Sequence, residues 1–390
     1  MKKILIVNNN MKVGGVQKSL YNLLWALSEL NQFEITLLLF SRTGAFLDQL
    51  PSSVRVLECG GPVKFLGKHQ SEFRDNRFMA LVRGIFALLS RIFGRAFALK
   101  LLFAFQPRFR ENFDVAISFL HNGRKEAFYG GVQDYVLNRV SAEHKIAFLH
   151  CDYEQCGANH KSNNLMMQCF DKIAACSESC RNLLVSVLPS VSSRCFTVYN
   201  CQRFGEIQAL AASFSAEYQD ALPNVAVVAR LTHEKGIERA LEALSYCVSN
   251  GKPFVLHLIG DGPLSRDLRQ LCADLKIDKY VFFHGEQINP YPYILSADLL
   301  LIPSYHEAAP MVIDESRALG VPVLSTQTVS ADELVAARGA GWVCDNSQKG
   351  LNESLLCLLS NFSQVLGRKT EMSKVSLNND EALQQFLSIL

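Results

Sequence analysis

Residues 302–323 read IPSYHEAAPMVIDESRALGVPV. The segment begins with an apolar run, continues into a loop of small residues that carries Glu307, and then shows a helical pattern through Leu319. Gly320 stops this helix, and Pro322 opens another apolar run. A strand, a helix and a second strand in this order are typical of a parallel sheet with helical connections.

The same alternation of short apolar runs and longer helical patterns covers the rest of the chain. The first series of runs lies at 4–7, 34–40, 54–57, 114–118, 145–149, 172–175 and 197–199. The second lies at 225–229, 255–259, 281–283, 299–302, 321–325 and 341–343. We therefore predict an α/β protein with two Rossmann-like, doubly wound domains that face each other across a ligand cleft.

Length and composition set the domain plan. A chain of 390 residues with 49% hydrophobic and 19% charged residues can bury a large core, which excludes disordered and fibrous classes. We assign 1–200 to an N-terminal domain, 201–222 to a linker and 223–370 to a C-terminal domain. A polar stretch and a final helix make up 371–390.

The formal net charge of +2 conceals an asymmetry between the two halves of the chain. Residues 1–200 hold 24 Lys+Arg and 15 Asp+Glu, whereas the remaining residues hold 15 and 22. The near-neutral total argues against nucleic acid as a partner. Most of the basic excess lies in residues 74–110, where eight Lys/Arg and seven Phe accompany one acidic residue.

Residues 74–110 also show a helical apolar stripe. Its members are Phe78, Leu81, Val82, Ile85, Leu88, Leu89, Ile92 and Phe93. A basic amphipathic helix of this kind can lie on an anionic membrane surface or bind an acidic acceptor. Alternatively, the stripe packs on the first sheet and the arginines are solvated.

The twelve cysteines show neither a CxxC spacing nor an interval to histidine that is typical of a metal site. We expect reduced, mostly buried thiols, a cytoplasmic location and no bound metal. The first apolar run ends after four residues, which is too short for a signal peptide. Charged residues interrupt every stretch that approaches the length of a membrane span, so we expect none.

Three loops that follow predicted strands carry candidate binding residues. Gly14 and Gly15 precede a helix, where they can expose backbone N–H groups to an anion or form a plain tight turn. Arg230 and Lys235 follow a strand of the second series and can clamp a diphosphate or be ordinary surface cations. Gly262 closes a further strand in a flexible turn, a pattern that also occurs where dinucleotides bind.

Glu307 and Glu315 are the candidate acidic residues, and seven residues separate them. If Glu315 lies in the first turns of the helix, both carboxylates can face one ligand, and the intervening amides are available to phosphate oxygens. Alternatively, Glu307 is a helix-start acid and Glu315 lies on a solvated face. The spacing alone leaves both interpretations open.

Taken in order, these segments resemble the retaining glycosyltransferases of family four, which have the GT-B fold. The matching segments of the second half are 228–236, 258–262, 281–285, 296–303 and 307–315. In the first half, Gly14 and Gly15 match that family's first-strand glycine loop, and 148–152 resembles its His-containing segment. Residues 198–200 are similar to the segment before its interdomain linker. The resemblance thus covers nearly the whole chain.

The resemblance implies a nucleotide-sugar donor, with UDP as the expected nucleotide, bound mainly by the C-terminal domain 223–370. It also implies that Gly14, Gly15 and Gly262 contact the donor and that the N-terminal domain 1–200 binds the acceptor. Glu307 would contact the donor sugar, and Glu315 would contact the ribose hydroxyls. Arg230 and Lys235 would hold the diphosphate and offset its charge as the glycosidic bond breaks.

Further residues enter through the same resemblance. Amides near Ala309, Pro310 and Met311 would assist at the diphosphate, although proline itself has no N–H. His150 would lie across the cleft near the sugar, or it is a packed histidine at the end of a strand. Enzymes of this group are generally metal-independent, so no cofactor is expected.

Two departures limit the transfer of details. Many relatives have Glu-Gly-Phe-Pro where this chain has Glu-Ala-Ala-Pro at 307–310, and Gln17 replaces the common Glu after the glycine pair. Both departures leave the cations of the expected diphosphate clamp unchanged. They obscure which hexose is bound.

The predicted function is retaining transfer of a hexose or N-acetylhexosamine to a lipid-linked or cell-envelope polysaccharide acceptor. The expected location is the cytoplasm, peripheral on the inner face of the cell membrane. A nucleotide-sugar epimerase of the same fold and a non-catalytic nucleotide-sugar-binding protein are the alternatives.

Overall fold

The structure, a computed structural model, describes residues 1–68, 70–73, 76–218 and 221–390 of the chain. The chain forms two compact units, each built around one parallel sheet. Unit 1 comprises Met1–Cys201 and Asn379–Leu390, and unit 2 comprises Gln202–Asn378. Of the predicted linker 201–222, all but the first residue belongs to unit 2, and Gln219 and Asp220 lie outside the described residues.

Unit 1 contains seven strands. In chain order they are β1 (Lys2–Asn8), β2 (Phe33–Leu39), β3 (Arg55–Glu58), β4 (Asn112–Ser118), β5 (Ser141–Leu149), β6 (Lys172–Ala175) and β7 (Cys195–Thr197). They form one parallel sheet in the order β3-β2-β1-β4-β5-β6-β7. Each of the seven apolar runs predicted in the first half of the chain overlaps one of these strands.

The sheet of unit 1 is covered on both faces, and β1 shows why. Ile4 and Ile6 belong to one buried cluster, whereas Leu5 and Val7 belong to another. Successive residues of a strand point to opposite faces, so the two clusters lie on opposite sides of the sheet. A strand buried on both faces shows a continuous apolar run, as β1 does.

Helices of unit 1 connect its strands. They are α1 (Gly15–Leu30), α2 (Lys64–Gly67), α3 (Arg77–Phe93), α4 (Arg95–Ala104), α5 (Val132–Arg139), α6 (Lys161–Met167) and α7 (Glu178–Val187). Short 3₁₀ helices lie at Leu47–Gln49, Gln70–Phe73 and Pro189–Arg194. Among the described residues, no helix combines the length and the apolar character that crossing a bilayer requires.

The segment predicted as a basic amphipathic helix, 74–110, forms the two helices α3 and α4, which Gly94 separates with a φ of 84°. Its first residue, Arg74, lies outside the described residues. Val82 and Leu89 pack against the core, whereas the other six residues of the predicted stripe are exposed. Arg83 and Arg95 are buried, so the expectation that the arginines are merely solvated is wrong for these two.

Unit 2 repeats the architecture with six strands. They are β8 (Asn224–Val228), β9 (Val255–Ile259), β10 (Val281–Gly285), β11 (Leu299–Ile302), β12 (Val323–Thr326) and β13 (Gly341–Cys344). The parallel sheet has the order β10-β9-β8-β11-β12-β13. All six runs predicted in the second half of the chain overlap these strands.

The helices of unit 2 alternate with its strands. They are α8 (Phe204–Ala211), α9 (Ile237–Ser249), α10 (Ser265–Leu275), α11 (Tyr291–Ser296), α12 (Met311–Ala318), α13 (Gln348–Ser360) and α14 (Phe362–Met372). Two 3₁₀ helices, His233–Lys235 and Asp278–Tyr280, and a π-helical turn, Asp332–Ala336, complete the unit.

The final helix, α15 (Asp380–Ile389), returns to unit 1. Phe386 is fully buried there, with its ring centroid 6.2 Å from that of Phe148 on β5. The Lys172 ammonium donates a hydrogen bond to the carbonyl of Ile389 at 2.9 Å, which satisfies an end carbonyl of the helix. The last residues of the chain therefore stabilise the domain in which the chain begins.

Candidate functional site

Both sheets reverse their strand order beside their first strand, between β1 and β4 in unit 1 and between β8 and β11 in unit 2. The loops that leave the carboxyl ends of the strands diverge at such a point and leave a crevice. In unit 2 these loops carry Arg230, Lys235 and Glu307. In unit 1 they include the loop after β1.

The centre of the unit 2 loops is an ion pair between Lys235 and Glu307. Lys235 Nζ lies 2.6 Å from Glu307 Oε1, and the two side chains are 22% and 12% exposed. Ser304 Oγ donates a second hydrogen bond to the same oxygen at 2.8 Å. Glu307 Oε2 has no hydrogen-bond partner among the described residues, so it is the carboxylate oxygen available to a ligand.

Gly236 allows the two loops that carry this pair to approach each other. It has a φ of 61°, and a Cβ at this position would lie 2.2 Å from the carbonyl oxygen of Pro303. Only glycine combines this backbone conformation with such a close contact. The Tyr305 N–H also donates to the carbonyl of Glu234 at 3.0 Å, which joins the loops at a second point.

Arg239, in the first turn of α9, supports the loop that precedes Glu307. Its side chain is 3% exposed, and Nη1 donates to the Pro303 carbonyl at 3.3 Å and to Asn346 Oδ1 at 2.7 Å. The guanidinium also lies 4.6 Å from the ring centroid of Tyr305. The sequence did not identify this residue, because an arginine on an amphipathic helix usually lies at the surface.

Arg230, the other predicted cation, is exposed and has no ion-pair or hydrogen-bond partner for its guanidinium among the described residues. Burial raises the pKa of the nearby Glu234, but a backbone hydrogen bond and the charges of Arg230 and Lys235 help to lower it overall. Arg230 therefore contributes positive potential at this edge of the sheet.

Gly262 lies in the loop after β9 and packs against the loop that carries Arg230. A Cβ at 262 would lie 2.5 Å from the carbonyl oxygen of Leu231. The Gly262 N–H donates to Asp261 Oδ1 at 2.7 Å. Close packing therefore favours glycine at this position, independently of the predicted contact with a donor.

Helix α12 supplies the remaining predicted residues of unit 2. Its N-cap is Pro310, with Ala309 before it and Met311 as the first helical residue. The N–H groups of a first helical turn carry partial positive charge and favour an anionic ligand. Glu315 is only 8% exposed, and Tyr291 OH donates to its Oε1 at 3.4 Å. The solvated position considered for Glu315 is therefore wrong.

The loop after β1 is held by buried asparagines. Asn9 Oδ1 accepts from the Asn10 N–H at 2.8 Å and from Gln17 Nε2 at 3.2 Å. Asn10 Nδ2 in turn donates to the Gly67 carbonyl at 2.9 Å. Gly14 is the N-cap of α1 and Gly15 its first residue, so the predicted turn between strand and helix is present. The sequence showed these asparagines only as the end of an apolar run.

His150 follows β5 in unit 1 and packs among aromatic rings. Its ring centroid lies 4.6 Å from that of Phe119 and 5.6 Å from that of Phe148. Burial, with a smaller effect of the neighbouring His121, lowers the pKa of His150 to about 3. The imidazole is therefore neutral near pH 7, and its buried Nε2 has no hydrogen-bond partner among the described residues.

Comparison with known families identifies the unit that carries the Lys235–Glu307 pair. Residues 213–370 match the family described as Glycosyl transferases group 1. This part of the chain is a group 1 glycosyltransferase domain. The match includes Arg230, Gly262 and Glu315, whereas Gly14, Gly15 and His150 lie outside it.

A curated relative agrees with this assignment. The chain is 29% identical over 167 residues to a protein of Salmonella typhimurium named putative colanic acid biosynthesis glycosyltransferase WcaL. The matched region is 41% of this chain and 40% of that protein. The chain thus matches about two fifths of the relative's length.

Solved structures extend the comparison to the whole chain. Anabaena Alr3699/HepE in complex with UDP has a TM-score of 0.63 and 17% identity, and the match covers 100% of this chain and 97% of that one. Sucrose-phosphate synthase from Thermosynechococcus elongatus has a TM-score of 0.68 and 15% identity, with 100% and 98% covered. Both are GT-B glycosyltransferases, so the predicted GT-B fold is confirmed.

The structure brings together some of the predicted site residues and leaves others in separate units. Lys235 and Glu307 are in direct contact within the glycosyltransferase domain, and Arg230 precedes Lys235 in the same loop. Gly14, Gly15 and His150 belong to unit 1. The roles assigned to all these residues remain predictions.

Proposed function

We propose that this protein is a retaining glycosyltransferase that moves a sugar from a nucleotide-sugar donor, most simply a UDP-sugar, to a lipid-linked or envelope polysaccharide acceptor. The observation that carries the proposal is the Lys235–Glu307 pair, beside an exposed Arg230, at the strand-end edge of a group 1 glycosyltransferase domain. Cations, a carboxylate and a helix N-terminus together match the charges and hydroxyls of such a donor.

Two kinds of relatives support this choice of substrates. The Salmonella protein is named for colanic acid biosynthesis, and the Anabaena protein was crystallised with UDP. Another relative, from Erwinia amylovora, is named amylovoran biosynthesis glycosyltransferase. We extend to this chain the nucleoside diphosphate of the Anabaena structure and the polysaccharide product that the other two names indicate.

The leaving diphosphate is the group that most needs stabilisation in the proposed reaction. Arg230 and Lys235 bind its oxygens and offset the charge that grows on them as the glycosidic bond breaks. The first turn of α12, with amides near Ala309 and Met311, adds partial positive charge. Because the chain supplies these charges itself, we propose that transfer needs no metal ion.

Two carboxylates orient the rest of the donor. Glu307 accepts a hydrogen bond from a hydroxyl of the sugar through Oε2, while Lys235 and Ser304 hold Oε1. Glu315, largely buried beside Tyr291, accepts from the ribose hydroxyls. A buried, prepositioned carboxylate loses little freedom on binding, so these contacts favour one donor geometry.

Unit 1 provides the acceptor side in this proposal. The neutral His150 imidazole binds a sugar hydroxyl rather than a charged group, whereas Gly14 and Gly15 stay predicted contacts of the donor. The substrate would be the glycan portion of an acceptor carried by a lipid or by the growing polysaccharide.

The exposed stripe of α3 and α4 is the proposed membrane-contacting surface. It exposes Phe78, Leu81, Ile85, Leu88, Ile92, Phe93, Phe97, Leu101 and Phe105. Arg77, Arg91, Lys100, Arg108 and Arg110 are exposed on the same segment, and residues 76–110 contain no Asp or Glu. An apolar stripe with cations and no acidic residues suits an anionic lipid surface, where each cation contributes about 1 kcal/mol.

Vesicle sedimentation tests this surface. The protein should bind vesicles that contain phosphatidylglycerol, moderate salt should release it, and Ile85→Gln should weaken binding. The matched control is Ile288→Gln, because Ile288 is also exposed but lies in unit 2. Equal binding of both variants, or equal binding to purely phosphatidylcholine vesicles, would contradict the assignment.

Nucleotide release tests the enzymatic proposal. The full chain is incubated with UDP- and GDP-sugars, with and without an extract of envelope glycolipids, and freed nucleotide and labelled glycolipid are measured. Glu307→Gln should lower the rate about 100-fold or more, since it removes one charge from the site without changing its shape. Glu353→Gln is the control, because Glu353 forms an exposed ion pair with Lys349 in the same unit.

Three results would count against the proposal. Absence of glycosylated product with every donor excludes transfer to these acceptors. Interconversion of the donor without an acceptor indicates an epimerase instead. Inversion of the anomeric configuration, read from the NMR spectrum of the product, contradicts the retaining mechanism.

A further inference from the structure

Unit 1 contains a cluster of three metal-ligating side chains that lies outside the proposed donor site. His121 is in the loop after β4, Cys151 follows β5, and Cys156 lies five residues further along the chain. One potential ligand atom from each residue lies within 4.8 Å of the other two. The sequence did not indicate this cluster, because the histidine and the first cysteine are thirty residues apart.

The loop after β5 is folded so that its two cysteines meet. Asp152 Oδ1 accepts from the N–H groups of Glu154 and Gln155, at 3.1 and 3.0 Å. The Cys156 N–H donates to the Asp152 carbonyl at 3.0 Å, which closes the turn. As a result, the Sγ atoms of Cys151 and Cys156 lie 3.0 Å apart.

The third group of the cluster has an unused nitrogen. His121 Nδ1 is buried and has no hydrogen-bond partner among the described residues. Burial lowers the pKa of His121 to about 4, so the imidazole is neutral and keeps a lone pair for a ligand. A buried nitrogen without a partner is costly, and such a group calls for an explanation.

We propose that His121, Cys151 and Cys156 form a binding site for a thiophilic metal ion, with Zn²⁺ as the expected occupant. Two thiolates and one imidazole are a donor set that suits zinc, whereas Mg²⁺ and Mn²⁺ prefer oxygen ligands. The site is therefore distinct in chemistry from any ion that would accompany a diphosphate. This inference does not rest on the proposed function.

Metal binding fits the geometry better than a disulfide between the two cysteines does. Sulfurs bound tetrahedrally to zinc at about 2.3 Å are about 3.8 Å apart, so the thiols need to separate by less than about 1 Å. A disulfide would join the sulfurs and leave His121 Nδ1 buried without a partner. A metal ion gives all three groups a partner at once.

Binding is accompanied by proton release and leaves one coordination position open. Each cysteine that ligates the ion as a thiolate releases its thiol proton to solvent, so Zn²⁺ displaces up to two protons. With three protein ligands, the fourth position is left for water or an anion.

Cobalt substitution tests the site directly. The reduced full chain is titrated with Co²⁺, which gives thiolate-to-metal charge-transfer absorption when cysteines bind it, and Zn²⁺ is then added in competition. We expect these bands in the wild-type protein and their loss when Zn²⁺ is added. Cys156→Ser and His121→Ala should each weaken Co²⁺ binding about tenfold or more.

Cys169→Ser is the matched control, because Cys169 is an exposed cysteine of the same unit, and it should leave the bands unchanged. Circular dichroism checks that each variant is folded. Proton release measured in weakly buffered wild-type protein gives a second readout that needs no variant. Absence of charge-transfer bands in the reduced wild-type protein, or equal bands in all variants, would overturn the assignment.

Discussion

The close contact between Gly236 and Pro303 makes a sharp prediction about the site loops. Gly236→Ala should destabilise unit 2 and move Lys235 away from Glu307. Gly251 provides a matched control, because its φ of 71° resembles the 61° of Gly236 but a Cβ there meets nothing within 4 Å. The two alanine variants share the same backbone strain, and they differ in what the new methyl group contacts.

The magnitude follows from the separate contributions. A residue with a Cβ in the left-handed region costs about 1–2 kcal/mol, which applies to both variants. At Gly236 the Cβ would lie 2.2 Å from Pro303 O, whereas real Cβ atoms stay beyond 3.0 Å, so this carbonyl must move. The same carbonyl accepts from Arg239, and losing a hydrogen bond to a charged group costs about 1.5–3 kcal/mol. The total for Gly236→Ala is therefore about 3–5 kcal/mol.

Urea unfolding followed by circular dichroism measures both variants, with donor binding by calorimetry as a second readout. We expect Gly251→Ala to lose about 1–2 kcal/mol of unfolding free energy and to bind UDP as the wild type does. Gly236→Ala should lose at least about twice as much and bind UDP more weakly, since Lys235 precedes the altered position. A loss in Gly236→Ala no larger than that in Gly251→Ala would refute the packing argument.

Three further predictions concern unit 2. Arg239→Met should lower the unfolding free energy by about 2–4 kcal/mol in urea titrations, because two hydrogen bonds from a buried cation and its contact with Tyr305 are lost. Glu315→Gln should weaken UDP binding about tenfold in calorimetry, or about 1.4 kcal/mol, if the carboxylate binds the ribose. Burial, with a smaller effect of the neighbouring His284, lowers the pKa of His257 from 6.5 to about 3. Between these two pH values the unfolded chain binds a proton that the folded protein does not. The free energy of unfolding should therefore be unaffected by His257 above pH 6.5 and should decrease as the pH falls towards 3. In His257→Phe, the urea midpoint of unfolding should decrease less steeply as the pH is lowered. Replacing the exposed His144 by Gln should leave this pH dependence unchanged.

The strands could be predicted because burial on both faces gives a parallel strand an uninterrupted apolar run. β11 has the predicted boundaries, since it is apolar throughout and Pro303 follows directly. β5 begins at Ser141 rather than at the predicted residue 145, because its first residues are polar and largely exposed. Where a strand extends beyond the buried core, the apolar pattern of the sequence no longer predicts where the strand begins or ends.

The contacts of the candidate site could be predicted only in part. Loops that follow parallel strands meet at one edge of a sheet, so the sequence could place Lys235 and Glu307 in the same region. It could not show that they form an ion pair, because 72 positions separate them and the approach depends on Gly236. The support from Arg239 depends on burial, which residue type alone does not reveal.

The segment 74–110 illustrates a different limit of sequence patterns. An apolar stripe at helical spacing predicts an amphipathic helix but does not say which residues face the protein. In the structure, α3 buries the side that carries Val82 and Leu89 and exposes the adjacent side, which is also apolar. A helix that is apolar on two sides can bury both only against two surfaces. Among the described residues, the core of unit 1 covers one side of α3 and leaves the other exposed.

The two cations of the proposed diphosphate clamp are expected to contribute in different ways. Residues 202–378, which form unit 2, hold 15 Lys+Arg and 20 Asp+Glu, so an anionic donor approaches a domain of unfavourable net charge. Glu307 already neutralises much of the Lys235 charge, and binding must rearrange or share this ion pair. Arg230 is exposed and unpaired among the described residues, so it provides most of the attraction at a distance and most of the salt dependence. Removal of Arg230 should therefore slow donor association, whereas removal of Lys235 should mainly change the bound state.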